Sequence, residues 1–194
     1  RFAGRGSICR GRFHLILCRA MSFTPREFRD ALGLFPTGVA IVTTVDDQGQ
    51  PAGITVNSFT SVSLDPPLIL VSIARTSRNF DLFNKADHFA VNLLREEQRH
   101  VSSAFASPTA DRFGVVKHRP GHGNAPLIDA HLVAFECETY ARHDGGDHVL
   151  LLGKVVRFNH DPSLPPKPLL YFRGQYRELS ELHAELAPFR LEGW

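Results

Sequence analysis

Sulfur is scarce in this sequence, which has three cysteines and a single methionine in 194 residues. Cys9, Cys18 and Cys137 are too few and too unevenly spaced for a disulfide framework, so a reducing, cytoplasmic setting is expected. No apolar run approaches the roughly 20 residues that a bilayer crossing needs, so no membrane role is expected. The G-x-G-x-x-G and P-loop patterns are missing, and the nearest imitation, Gly121-His122-Gly123-Asn124-Ala125-Pro126, ends in proline. A doubly wound nucleotide-binding fold is therefore not expected. There is no G-x-S-x-G elbow and no H-E-x-x-H, which leaves hydrolase chemistry without its usual parts. Of the ten histidines, the close pairs His118 with His122 and His143 with His148 lack a third ligand at a metal-binding spacing. They read as surface or loop residues, and no metal is expected.

What is present describes one globular domain. Hydrophobic residues make up 43% of the chain, and 22 Lys plus Arg face 20 Asp plus Glu, which excludes a disordered chain and permits a real core. The net charge of +2 is uneven. Residues 1 to 20 carry Arg1, Arg5, Arg10, Arg12 and Arg19 and no acid; taking these five from +2 leaves −3 on the other 174 residues. The lone methionine, Met21, stands just before a helix start. An Arg-rich, acid-free start also suits a targeting segment or a nucleic-acid arm, but Met21 is read as the initiator and residues 1 to 20 as a disordered upstream extension, with residues 21 to 194 as the single domain. Without the extension nothing points to nucleic acid.

Thr24-Pro25-Arg26-Glu27 combines an N-cap, a proline at the first helical position and a glutamate three residues on, which predicts a helix to about Leu34. Its face of Phe28, Ala31, Leu32 and Phe35 is expected to pack on the core. β-Branched runs at 39–45 and 54–56 flank the turn Asp46-Asp47-Gln48-Gly49 and predict a hairpin. Further strands are expected at 58–64, 68–73, 89–94, 132–142, 149–158 and 169–172, with helices over 77–85 and 96–105. The long loop from Ser107 to Pro126 is expected to cover a site or an interface. In 132–142, Val133, Phe135, Cys137 and Thr139 are placed on the core side, and Glu136, Glu138 and Arg142 on the other. Dominant strands without strand-helix alternation predict a mainly β, antiparallel, Greek-key-like barrel with added helices.

From Gly53 to Leu68 small hydroxyl and amide side chains cluster where a strand leaves the hairpin. On composition alone this is either a pocket for a planar heteroaromatic or a polar edge strand. The stretch T-V-N-S-F-T-S-V-S-L-D-P-P-L at 55–68 resembles the signature of the flavin reductase family, the small reductase components of two-component flavin monooxygenases. Phe35-Pro36-Thr37-Gly38-Val39, the Gly146-Asp147-His148 turn and Leu170-Tyr171-Phe172-Arg173-Gly174-Gln175-Tyr176 resemble other parts of the same family, in order over roughly 21 to 180.

The resemblance implies an FMN-binding split barrel that works as a homodimer and moves a hydride from NADH or NADPH to FMN or FAD for a partner monooxygenase. It places Thr37 and Gly38 near the flavin, Thr55, Val56, Asn57 and Ser58 along its ring and ribityl chain, and Ser63 as a further contact. Ser77 and Asn79 stand at a helix start that suits a phosphate, with charge from Arg78; a plain N-cap role for Ser77 is compatible. Arg112 and Phe113 resemble a basic-aromatic pair of the family, although the alanine expected before Gly114 is missing. Hydride transfer needs stacking and close approach more than a strong acid or base, since the cofactor supplies the chemistry. His148, flanked by Asp147, is the expected catalytic residue that places the nicotinamide, and Arg173 and Tyr176 are expected to reach the dinucleotide. Two other readings stay open: a flavin-storing or flavin-sensing split barrel without turnover, and a related oxidase, which would need an extra basic cluster that the sequence lacks.

Overall fold

A computed structural model of the chain describes residues 22–108 and 111–179. The reading of Met21 and of residues 1 to 20 lies outside the described residues. The strands are β1 (Thr37–Gly38), β2 (Ala40–Val45), β3 (Pro51–Val56), β4 (Thr60–Leu64), β5 (Pro67–Ala74), β6 (His88–Leu93), β7 (His118–Pro120), β8 (Pro126–Ile128), β9 (Val133–Gly145), β10 (His148–Asn159), β11 (Leu170–Phe172) and β12 (Gln175–Arg177), and the α-helices are α1 (Pro25–Leu32), α2 (Phe80–Lys85) and α3 (Arg99–Ala106). Seven strands form one antiparallel sheet in the order β3-β2-β6-β9-β10-β5-β4, so the chain crosses between non-neighbours instead of meandering. The mainly β expectation with helices added outside holds.

The strands follow from their residues. β2 is a run of β-branched and small side chains, buried on both faces from Ala40 to Thr44, as a central strand covered on both sides requires. One core gathers Val42, Val71, Phe83, Phe89, Val91, Cys137 and Leu151. A second, beneath α3, gathers Val39, Ile41, Leu94, Val101, Phe105, Ile128 and Leu169. The sheet curls until the segment after β3 meets β5, where Ser58 Oγ accepts from the Ser72 N–H at 2.9 Å and donates to the Ser72 carbonyl at 3.2 Å.

Three expectations need correction. The α1 capping box is present, with the Thr24 and Glu27 side chains each bonded to the other's backbone. Its apolar face, however, does not pack on the core: Phe28 is 51% exposed, Leu32 59% and Phe35 74%. Periodicity shows that a helix has an apolar face, not that its own chain covers it. Second, Glu136 is buried, 1% exposed, where the alternation of β9 placed it outside. The segment 118–128 folds back as the β7–β8 hairpin and covers that face, and the Glu136 carboxylate accepts the His122 N–H at 2.6 Å. Third, the stretch from Ser107 to Pro126 is not one loop: Pro108 and Arg112 line a cleft, whereas its later part belongs to the β7–β8 hairpin. The β8 end is fixed to the sheet by buried Asn92, whose Oδ1 accepts the Ile128 N–H at 2.9 Å and whose Nδ2 donates to the Ile41 carbonyl at 3.2 Å.

Cys137 is buried, and desolvation pushes its thiol up to about 12, so it stays a protonated packing group. It faces Gly153, where an added Cβ would lie 2.4 Å from Phe89 Cζ and 2.9 Å from Cys137 Cβ. Gly153→Ala is expected to lower stability by about 1 to 3 kcal/mol through overpacking, read as a shift of the urea midpoint at unchanged slope.

Candidate functional site

Where β3 and β5 part, a cleft of about 380 Å³ opens. One wall is the end of β3 with Thr55, Val56, Asn57 and Ser58. The other is Ser72 and Ala74 of β5 with Ser77 and Arg78 before α2, and Phe105, Pro108, Arg112 and His148 complete it. β3 is the edge strand of the sheet. The Gly53 carbonyl points outward from that edge, because it accepts from Arg112 Nη1 at 2.9 Å and from Asn79 Nδ2 at 3.4 Å. Strand alternation then turns the backbone of Thr55 outward as well. Among the described residues no side-chain hydrogen bond engages Asn57. The Thr55 hydroxyl is already used, donating to the Ser102 carbonyl of α3 at 2.7 Å.

At the far end the cleft meets a second one of about 360 Å³, lined by Asn79, Asp111 and Phe113 among others, and the two share Arg78, Pro108 and Arg112. Arg78 donates to the Pro108 carbonyl at 2.6 Å and Arg112 to the Ser107 carbonyl at 3.0 Å. Two guanidiniums thus stand together where the clefts join. His148, which lines the cleft, follows the tight turn Gly146-Asp147 between β9 and β10, with Gly146 at φ +75°, a conformation that favours glycine. His148 Nδ1 lies 2.7 Å from Asp147 Oδ1. The hydrogen bond from His148 holds the Asp147 carboxyl below its usual value, and an ionised carboxylate can only accept, so Nδ1 is the donor in this contact.

Of the residues chosen from sequence, Thr55, Val56, Asn57, Ser58, Ser77, Arg78, Arg112 and His148 come together around one cleft, with Asp147 behind His148 and with Asn79 and Phe113 in the adjoining cleft. Others lie elsewhere in the chain. Thr37 pairs with Tyr171 across β1 and β11, its hydroxyl buried without a hydrogen-bond partner. Gly38 lines a separate hollow with Phe59 and Leu169. Ser63 lies on β4 opposite Leu68, Arg173 is in the β11–β12 turn with its N–H on the Gly33 carbonyl at 2.9 Å, and the Tyr176 hydroxyl donates to Ser102 Oγ at 2.9 Å. Tyr176 therefore supports α3 behind the cleft. Sequence reasoning missed Ser72, Ala74, Phe105 and Pro108. The one available signal was the pair of small residues at alternate positions of β5, on the face opposite the apolar Val71 and Ile73.

The sequence profile of the flavin reductase like domain matches residues 32–180. The chain belongs to this family. As a flavin reductase-like domain it is similar to the reductase component of a flavin-dependent trigonelline monooxygenase from Acinetobacter baylyi, with 51% identity over 151 residues, 78% of this chain and 48% of that protein. It is also similar to the reductase subunit of a flavin-dependent monooxygenase from Mycobacterium tuberculosis H37Rv, with 39% identity over 78% of this chain and 81% of the relative. Among solved structures, an NADH:FAD oxidoreductase from Streptomyces globisporus in complex with NAD and FAD fragments superposes with a TM-score of 0.75 at 33% identity, covering 80% of this chain and 92% of that one. The flavin reductase-like domain spans about half the length of the Acinetobacter relative and of a flavin reductase relative from Rhizobium meliloti, 48% and 49%.

The two serine and asparagine neighbours at the cleft divide structure from binding. Ser58→Ala leaves the Ser72 N–H and carbonyl without their partner and is expected to cost about 1 to 3 kcal/mol. Asn57→Ala, with no protein partner to lose, is expected to stay within about 0.5 kcal/mol of the parent. Chemical denaturation of both variants measures the difference.

Proposed function

We propose that this flavin reductase-like domain is an NAD(P)H-dependent flavin reductase that binds FMN or FAD, receives hydride from NADH or NADPH, and supplies reduced flavin to a separate monooxygenase component. The observation that carries the reading is the convergence of the β3 end, the Ser77-Arg78 segment, Arg112 and the Asp147–His148 pair on one cleft. The donor set fits a flavin. Outward backbone groups of an edge strand and the free Asn57 amide match a ring edge that both donates and accepts, and Arg78 and Arg112 suit a phosphate where the clefts join. The bound flavin supplies the hydride acceptor. The chain would orient it: the end of β3 would hold the ring edge, the two arginines the anionic tail, and His148, hydrogen-bonded to Asp147, would align the nicotinamide.

Storage or sensing of flavin without turnover needs no ordered His–Asp pair at the cleft mouth, and that pair favours the reductase reading. The names of the relatives, reductase components and subunits of flavin-dependent monooxygenases, support transfer of reduced flavin to an oxygenase. A homodimer is part of the proposal. Phe28, Leu32, Leu34 and Phe35 form an exposed apolar face of the kind that a symmetric contact would bury. Among the described residues no helix is long and apolar enough to cross a membrane. A cytoplasmic setting fits the free, buried thiol of Cys137.

Purified protein is expected to oxidise NADH only when flavin is added, and to sediment as a dimer; flavin-independent oxidation overturns the reductase reading. His148→Ala is expected to slow single-turnover flavin reduction roughly tenfold to a thousandfold at near-constant flavin affinity. Asn57→Ala and Ser77→Ala are expected to weaken flavin binding first, by about 1 to 3 kcal/mol each. An unchanged reduction rate in His148→Ala would return that histidine to a structural role.

A further inference from the structure

The hairpin tip that carries His148 is exposed, and one residue from another strand secures it. Arg75 follows directly after β5. Its N–H donates to the Asp147 carbonyl at 2.9 Å, its Nε to the Gly146 carbonyl at 2.9 Å and its Nη2 to Asp144 Oδ1 at 2.8 Å. The guanidinium also lies 5.7 Å from the centroid of the Phe80 ring at the start of α2. Three residues of the tip, Asp144 near the end of β9 and Gly146 and Asp147 of the turn, are thus tied to Arg75 through its side chain and its own backbone N–H. That side chain is in turn stacked on the helix whose leading segment, Ser77-Arg78, lines the cleft.

The last rung of the β5–β10 ladder pairs Ala74 with His148. Ser72 and Ala74 line the cleft, and alternation along β5 turns Arg75 to the other face, over Phe80. Arg75 is therefore not among the residues that line the cleft and acts through the turn. Its ion pair with Asp144 is open to water, with the two side chains 44% and 80% exposed, so it contributes little to global stability. Its geometric effect is larger. A planar fork that bonds Gly146 and Asp144 at once fixes the direction of the tip, which a single flexible ammonium does not do.

We infer that Arg75 is the positioning residue of this site, holding the Gly146-Asp147 turn so that the Asp147–His148 pair faces the cleft in one orientation. The inference rests on the reductase reading for its kinetic consequence and on the geometry alone for its structural one. Arg75→Ala, Arg75→Lys and Asp144→Ala are compared with the parent in three measurements: single-turnover flavin reduction by NADH, fluorescence titration of flavin, and nitrogen-detected NMR of the His148 imidazole in flavin-free protein. Arg75→Ala is expected to slow reduction roughly tenfold to a hundredfold, the scale for a small misplacement by a residue away from the chemistry, with flavin affinity and melting temperature close to the parent. Arg75→Lys keeps the charge without the fork and is expected to recover only part of the rate. Asp144→Ala is expected to add little once Arg75 is gone, as for members of one network. The His148 imidazole signals are expected to broaden and lose their hydrogen-bonded Nδ1 character in Arg75→Ala. Parent-like reduction in Arg75→Ala, unaltered imidazole signals, or a matching loss of flavin affinity would each overturn the inference. If the parent reduces no flavin while the His148 signals still change in Arg75→Ala, the reductase reading falls and the positioning role stands.

Discussion

The cleft exists because the sheet stops pairing at one place and a single serine hydroxyl covers the break. β4 pairs with β5 only from Leu70 to Pro67, so beyond Leu70 the outer edge of β5 has no strand beside it. An unpaired buried main-chain group is costly, and an open edge invites pairing with another chain. Ser58 Oγ answers both amide groups of Ser72 and ties the end of β3 to β5 without turning the two into neighbours. The remaining outward groups of β3 face a cleft instead of a strand. A planar molecule with donors and acceptors along one edge can take the place of the missing strand.

The other walls protect that edge and set its width. Gly53 has to be glycine because α3 presses Phe105 to within 2.5 Å of where a Cβ would sit, and Phe105 is itself a wall of the cleft. Asn79 and Arg112 both bond the Gly53 carbonyl, joining the segment before α2 and the segment after α3 to the same strand. Tyr176 holds Ser102, and the Ser102 carbonyl holds Thr55. The C-terminal strand pair therefore reaches the cleft through α3, which accounts for a Tyr176 that matters to the site without lining it.

Sequence reading captured what local chemistry decides. The capping box of α1, the Asp46–Gly49 turn, the order of strands and the glycine turn ahead of His148 follow from cap residues, turn residues and periodicity, and the structure has each of them. The residues around the cleft were legible through family resemblance; hydroxyl-rich composition alone favoured a plain polar edge strand. What the sequence concealed depends on contacts between distant segments. Glu136 looks like a surface residue until the β7–β8 hairpin folds over it, and Arg75 looks like an ordinary strand-end charge until the register of β5 against β10 brings it to Gly146, 71 residues away. The exposed face of α1 shows the opposite limit, since its apolar periodicity was read correctly but does not tell whether the core covers it.

The position of His148 connects this chemistry to the core. β10 runs twelve residues from His148 to Asn159, and its register against β9 shifts between Leu152 and Gly153. A bulge of this kind bends a strand and increases its twist. Gly153 sits at the bend, with Phe89 and Cys137 packed where a side chain would be, so apolar packing shapes β10 five residues beyond its start at His148. Arg75 then fixes the last step at the tip. Two constraints of different kinds, apolar packing at mid-strand and hydrogen bonding at the tip, bear on the strand that begins with His148. That arrangement suits a reaction in which the protein contributes alignment and the cofactor contributes reactivity. A histidine that serves by position can stand on an exposed turn, provided that the turn itself is held.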